Sequence, residues 1–338
     1  MQCNFADSGV YISSLGKISP CCNILNGNSF TSIDQFYTDD FFKEIRTYNE
    51  TDITLSPHCV TCAKGNWSLQ KRSHDIIPNA YPNVMKRLDI SFGNSCNLNC
   101  VMCSNYFSSS WNTIVNDYEE EYFDIFQNKH IKSYDISYQQ IDEIISTLEK
   151  HKTVESVIIK GGEPFYNKKT LYFLDKLHKG LDIQIVTNAS IVNEYLLELL
   201  DKFKGVTIVV SIDGTDKIYE WIRGYSWNII HDNIKKLKKY SCIYQFTLTA
   251  YNFHALNETY NYCKEIGGNG LDLIIANDSH CNLMHVGKEN FYTYKKRSPI
   301  SIEMEYKKPL LIDKNNFIKF TEMMNKVRGF NWQDINVS

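Results

Sequence analysis

Three cysteines fall within one short stretch, Cys96-Asn-Leu-Asn-Cys100-Val-Met-Cys103, directly behind the apolar run Leu88-Asp-Ile-Ser-Phe92. On a helix they would stand at i, i+4 and i+7 and could simply face a core. Gly93, Asn94, Asn97 and Asn99 argue for an irregular loop instead. Three thiolates so close together suit a cubane iron–sulfur cluster, in which each cysteine holds one iron. The fourth iron then lacks a protein ligand, and a chelating small molecule can bind there.

A second set lies upstream: Cys3, Cys21 and Cys59-Val-Thr-Cys62, with Cys22 beside Cys21. Four such thiols can hold a structural zinc ion or a further iron–sulfur cluster. His58 reads as a loop residue rather than a ligand. Cys242 and Cys263 read as small buried hydrophobes. Cys281 follows the last strand-like run in Asn277-Asp-Ser-His280-Cys281 and reads as an inert loop thiol, with a hydrogen-atom donor as the alternative.

Bulk composition supports metal over disulfides. The N-terminus, Met-Gln-Cys-Asn, lacks a basic region followed by an apolar stretch, so no signal peptide is expected. The expected location is the cytoplasm, where eleven cysteines are poor candidates for a disulfide framework. Net charge is −3, from 36 basic and 39 acidic residues without a basic stripe, so no nucleic-acid partner is expected. No apolar run approaches bilayer length, so no membrane partner is expected either. The 338 residues, 43% hydrophobic and 22% charged, exclude long disorder. They leave room for a main domain of about 200–250 residues and one smaller module.

Those cysteines need a scaffold. From about Lys86 onward, short apolar runs alternate with amphipathic ones. Strands are expected at Arg87–Phe92, Val154–Lys160, Asp182–Thr187, Val206–Ile212, Ile243–Tyr251 and Leu271–Ala276. Ser137-x-x-Gln140 is a capping box ahead of Ile141, Ile144, Ile145 and Leu148. Further helices are expected over Lys168–His178, Trp227–Lys239 and Leu256–Ile266, and around Leu196, Leu199, Leu200 and Phe203. This is an α/β domain with a parallel sheet, and the alternation fits a partial barrel and an open doubly wound sheet equally. Gly161-Gly162-Glu163-Pro164, Asn188, Ser211 and Asp213 cluster at strand C-terminal ends, where such folds place ligands. They could equally be helix caps and turn formers. Residues 1–75 read as a hairpin from Val10 to Ser19, an amphipathic helix from Ile33 to Tyr48, and the Cys59 loop. A module so small gains from a metal. Residues 104–135 form an insertion rich in Ser, Asn, Tyr and acidic groups.

The Cys-x3-Cys-x2-Cys loop resembles the signature of the radical S-adenosylmethionine (SAM) superfamily. Gly161-Gly162-Glu163-Pro164 is similar to that family's second motif, whose turn pairs with the amino group of the SAM methionine. Met102 departs from the aromatic residue often found before the third cysteine, and its bulk and apolarity make it a fair substitute. The resemblance implies ribose contacts from Asn188, Ser211 and Asp213, and a carboxylate contact from Arg223 in Ile222-Arg223-Gly224-Tyr225. It implies a (β/α)6 partial TIM barrel over residues 84–285, with a C-terminal extension over 286–338. Cys3, Cys21, Cys59 and Cys62 resemble the ligand set of a twitch domain, a shortened relative of the SPASM domain, here ahead of the barrel. Pro20-Cys21-Cys22, Ser68-x3-Arg72 and the terminal Arg328-Gly-Phe-Asn-Trp-Gln-Asp also resemble N-terminal-twitch proteins.

What the resemblance implies is a two-cluster enzyme. One [4Fe-4S] cluster reduces SAM to give a 5′-deoxyadenosyl radical, which takes a hydrogen atom from substrate. The auxiliary [4Fe-4S] cluster serves as an electron conduit. A net oxidation or rearrangement of a small polar molecule is expected, with radical modification of a peptide as the alternative. No leader-recognition domain is expected ahead of Cys3, so a peptide would be expected to need a separate carrier protein. The implied electron donor is a flavodoxin or ferredoxin. A non-catalytic iron–sulfur or zinc-binding electron-transfer protein is the reading from another class, and the intact Gly161-Gly162-Glu163-Pro164 speaks against it.

Overall fold

The computed structural model describes residues 3–24, 27–51, 56–59, 83–126, 135–276, 278–300, 302 and 306–335. Along the chain run α1 (Asn4–Ser8), β1 (Gly9–Ile12), β2 (Lys17–Ser19), β3 (Asn28–Ser29), α2 (Gln35–Thr38), α3 (Asp40–Thr51) and β4 (Arg87–Ser91). Next come α4 (Trp111–Asp117), α5 (Glu119–Phe126), α6 (Tyr138–His151), β5 (Ser156–Lys160), α7 (Lys168–Lys176), β6 (Asp182–Thr187), α8 (Glu194–Leu200) and β7 (Gly205–Ser211). The last stretch holds α9 (Asp216–Arg223), α10 (Trp227–Leu237), β8 (Ser241–Leu248), α11 (Leu256–Glu265), β9 (Leu271–Ile275), α12 (Lys288–Arg297), α13 (Leu311–Arg328) and α14 (Trp332–Ile335). The six expected strands are β4 to β9, and helices alternate with them as an α/β partial barrel requires. Among the described residues, β3 and β9 each have a single neighbour, so the sheet is not closed.

Two compact units divide the chain. The first comprises Met1–Asn94, Ser133–Ile185 and Glu194–Val206. Its strand order is β3-β2-β1-β4-β5-β6. The expected hairpin is present, with Tyr11 opposite Ser19 and Ile12 opposite Ile18. Its first strand does more than close a small module: β1 lies parallel to β4, from Gly9 beside Arg87 to Ile12 beside Ile90. β4 pairs in turn with β5, also parallel. All five β4 residues are buried. Leu88 and Ile90 fall on one face, Arg87, Asp89 and Ser91 on the other. On that polar face Lys160 donates to Asp89 Oδ2 at 2.9 Å and stands 4.7 Å from the centre of the Tyr11 ring.

The helix expected from Ile33 to Tyr48 is instead two helices broken at Asp39, whose backbone is extended. The Asp39 carboxylate accepts from the Phe41 amide at 2.9 Å and from Asn28 Nδ2 at 2.9 and 3.0 Å. An aspartate that competes for backbone amides in this way starts a new helix rather than continuing the old one. The capping box on α6 forms as expected, and Ile141, Ile144, Ile145 and Leu148 are buried.

The second unit comprises Ser95–Lys132, Val186–Asn193 and Thr207–Ser338. β7, β8 and β9 pair parallel in that order. Residues 104–126 do not lie idle on the surface. Trp111, Ile114, Val115, Tyr122 and Ile125 join Trp221, Tyr251, Phe320, Met323, Met324 and Trp332 in one buried cluster. The insertion and the C-terminal helices therefore share a core. Among the described residues, no helix is long and apolar enough to cross a membrane.

Candidate functional site

In the second unit, Cys96, Cys100 and Cys103 belong to one small cluster with Leu98, Met102 and Tyr225. Cys96 and Cys100 are buried and Cys103 is half-buried. The stretch is neither helix nor strand, so its backbone groups need partners from elsewhere. The Cys96 amide donates to Ser109 Oγ at 3.1 Å, and Ser109 and Ser110 donate back to the Cys96 carbonyl at 3.1 and 3.0 Å. Trp111 Nε1 donates to the Cys100 carbonyl at 3.2 Å. Val101 donates its amide to Ile222 O at 2.9 Å, and its carbonyl accepts from His280 Nε2 at 3.0 Å. The Ser-rich insertion thus anchors the first cysteine.

Electrostatics show what these thiols need. Burial pushes the Cys103 thiol up, and the neighbouring Cys100 and Cys96 push it further. Burial also raises Cys100, partly offset by Arg223. Arg223 Nη1 lies 3.6 Å from Cys100 Sγ. Three thiolates this close cannot stay ionised in a buried pocket without added positive charge, which the irons of a cluster supply. Among the described residues, no three ligating side chains converge as they would on a single metal ion. A cubane does not ask them to, since each thiolate binds its own iron. The donor set fits a cluster.

Arg223 and Asp213 form a buried ion pair. Burial would lower the Arg223 pKa, but Asp213 and then Cys100 more than reverse it. Asp213 Oδ1 also accepts from the Thr247 amide at 2.6 Å. Both carboxylate oxygens therefore have partners within the chain. Asn188 Nδ2 reaches Asn97 Oδ1 at 3.3 Å and lies 4.0 Å from Cys96 Sγ. Ser211 ends β7, half-buried. Cys242 and Cys263 are buried as expected. Cys281 is fully buried among aromatic and apolar neighbours, and burial keeps its sulfur protonated. A fully buried thiol meets no substrate unless its surroundings move.

In the first unit, Gly161 and Gly162 follow β5 with φ of 87° and 55°, the left-handed region that favours glycine. A Cβ on Gly161 would lie 1.7 Å from Ser91 Oγ. Glu163 is buried, and its Oε1 accepts from the Phe165 amide at 3.0 Å. Its carboxylate shapes the turn, whatever else it holds.

Cys3, Cys21 and Cys59 pack against one apolar cluster of Ala6, Ile24 and Ile45. The three are therefore brought together from distant parts of the sequence. Cys22 is half-buried and, after Asp89, adds to the field that raises the Lys160 pKa against burial. His58, expected in a loop, lies in a short 3-10 turn over Pro57–Cys59, its ring centre 4.9 Å from that of Phe41 and its Nε2 3.8 Å from Glu44. Cys62, Ser68 and Arg72 lie outside the described residues. Sequence reasoning missed the loop's anchors, Ser109, Ser110, Trp111 and His280. Their spacing from the cysteines has no period that would expose them.

The chain is similar to several solved structures. One is native anSMEcpe with bound AdoMet, at 18% identity over 73% of this chain and 62% of that one, with a TM-score of 0.44. Another is Streptococcus suis SuiB bound to precursor peptide SuiA, at 18% identity over 78% and 59%, with a TM-score of 0.45. A third is TYW1 with a lysine-pyruvate adduct bound, at 15% identity over 71% and 73%, with a TM-score of 0.36. The chain spans about three fifths of the length of the first two. No curated protein matches it. The model of the Radical SAM superfamily matches residues 90–263, just over half of the chain and the stretch that carries Cys96, Cys100, Cys103 and Glu163, and the chain belongs to that superfamily.

Proposed function

We propose that the chain is a radical SAM enzyme that generates a 5′-deoxyadenosyl radical and uses it on a small polar substrate. What carries the reading is the buried trio of thiols, with the Arg223 guanidinium beside Cys100. A [4Fe-4S] cluster held by Cys96, Cys100 and Cys103 would supply the electron that splits SAM, and the radical so released takes hydrogen from substrate. Arg223 donates to the Cys100 sulfur and offsets part of the negative charge there. Gly161 and Gly162 let backbone approach the methionine end of SAM, and Glu163 answers its ammonium. Asn188 and Ser211 answer the ribose hydroxyls. Asp213, expected from the resemblance to join them, is fully buried with its carboxylate taken up by Arg223 and the Thr247 amide, and acts instead by holding Arg223. Any hold of Arg223 on the SAM carboxylate uses donors left over from Asp213 and Cys100. We assign no step to Cys281.

Cys3, Cys21, Cys59 and Cys62 hold the auxiliary [4Fe-4S] cluster in this reading, as an N-terminal twitch module. The shared packing of Cys3, Cys21 and Cys59 supports it and favours Cys21 over Cys22. The net reaction is an oxidation or rearrangement, with electrons from a flavodoxin or ferredoxin.

Anaerobic reconstitution with iron and sulfide, then SAM and a chemical reductant, tests the core of the proposal. 5′-Deoxyadenosine should form without added substrate, and its absence from protein that carries a full cluster would refute the reading. Cys59→Ala with Cys62→Ala should keep this uncoupled cleavage and halve the iron. Zinc in the N-terminal module after the same treatment would overturn the auxiliary cluster alone.

A further inference from the structure

The C-terminal extension reaches into the cysteine loop, and nothing in the proposed chemistry accounts for that. Arg328 is the last residue of α13, where Gly329 closes the helix in the left-handed conformation. Its guanidinium spends its donors on two carbonyls and one side chain. Nη1 donates to Asn99 Oδ1 at 2.6 Å and Nη2 to the Asn99 carbonyl at 2.8 Å. Nε donates to the Trp221 carbonyl at 2.7 Å. Asn99 is the residue directly before Cys100.

Neighbouring groups fix the fork in place. Asn325, one turn earlier on α13, accepts from Trp221 Nε1 at 3.1 Å and from the Trp332 amide at 2.8 Å. Trp332 packs on Trp221 with ring centres 5.0 Å apart. Gly224 makes room for the contact: a Cβ there would lie 2.6 Å from Asn99 Oδ1 and 2.7 Å from Arg328 Nη1. The end of α9 and the end of α13 therefore close on Asn99 from a shared set of hydrogen bonds.

We infer that Arg328 is a positioning residue for the iron–sulfur loop, and that the C-terminal helix is part of the cluster site rather than an appendage. The inference rests on the reading of Cys96, Cys100 and Cys103 as cluster ligands. A loop without regular structure has no ladder to hold it. A planar guanidinium that forks across a side chain and two carbonyls fixes both its position and its rotation. An ammonium cannot reproduce that fork, so lysine is not a conservative exchange here. Loss of the fork frees Asn99, and with it the direction in which Cys100 presents its sulfur.

Two readouts test this in Arg328→Ala and Arg328→Lys, neither of them turnover. The first is amide hydrogen exchange over residues 96–103 in the metal-free full chain. Exchange there should rise at least tenfold in both variants while β7 to β9 stay protected. The second is iron release from the reconstituted protein to a ferrous chelator, together with the change that SAM produces in the electron paramagnetic resonance signal of the reduced cluster. The variants should lose iron faster and show a weakened SAM-dependent change. Arg328→Lys keeps bulk and charge, and serves if the alanine variant does not fold. Wild-type exchange in residues 96–103, or a lysine variant that matches wild type in both readouts, overturns the inference. A wild-type chain that takes up no iron on the trio refutes the cluster reading instead, and the exchange result still decides whether Arg328 holds the loop.

Discussion

Asp213 has no exposed surface and meets both Arg223 and the Thr247 amide. Removing one member of a buried pair leaves the other charge uncompensated, which costs about 3–5 kcal/mol. Asp213→Asn should therefore lower the unfolding free energy of the metal-free protein by that order, as measured in denaturant titrations. An unchanged midpoint would mean that Arg223 finds another partner. Glu163 separates two roles in the same side chain. Glu163→Gln keeps an acceptor for the Phe165 amide and removes the charge offered to a SAM ammonium. A charge-assisted bond is worth roughly 1.5–3 kcal/mol. SAM should bind about tenfold to a hundredfold more weakly by calorimetry, with iron content unchanged. The residues at strand ends were legible because polar groups interrupt apolar runs there. The pairing of Asp213 with Arg223 was not, because it depends on where α9 brings its last turn.

Among the elements, the cysteine loop is held by its neighbours, and one of them titrates. Burial lowers His280 to about 4, with His285 pressing the same way and Asp278 opposing. Its ring lies between Phe126 and Phe320 and donates to the Val101 carbonyl. A histidine whose folded pKa lies below its unfolded value of about 6.5 contributes stability that is whole above that pH. It is lost as pH falls toward about 4, because the unfolded chain takes the proton first. Thermal unfolding of the metal-free protein should show this acid decline, and His280→Gln should flatten it while keeping a donor for Val101. An equally steep decline in the variant would assign the effect to other groups. Element existence was readable from periodicity: β6 spans the expected Asp182–Thr187, and the α6 capping box forms. The break at Asp39 was hidden, because the apolar spacing runs through it and only the carboxylate's competition for amides ends the helix. The parallel docking of β1 on β4 was hidden too, since a hairpin pattern does not say which outer edge is covered.

At the scale of the molecule, the reading of two clusters makes a stoichiometric claim. The reconstituted chain should carry about eight irons, and Cys100→Ala about half as many. An undiminished iron count in Cys100→Ala would remove the trio from the ligand set. The contacts that make the second unit one body were the least legible part of the sequence. Arg328 and Asn99 are 229 positions apart, and no spacing rule reaches that far. The terminal Arg328-Gly-Phe-Asn-Trp segment stood out only through its resemblance to related chains, and its partner became visible once α13 was packed. The central claim is that this chain cleaves SAM reductively at Cys96, Cys100 and Cys103. The most direct measurement compares 5′-deoxyadenosine formed by the anaerobically reconstituted wild type and by Cys100→Ala, with SAM and reductant in both. The account predicts product from the wild type and none from the variant. Equal product from the two would contradict it.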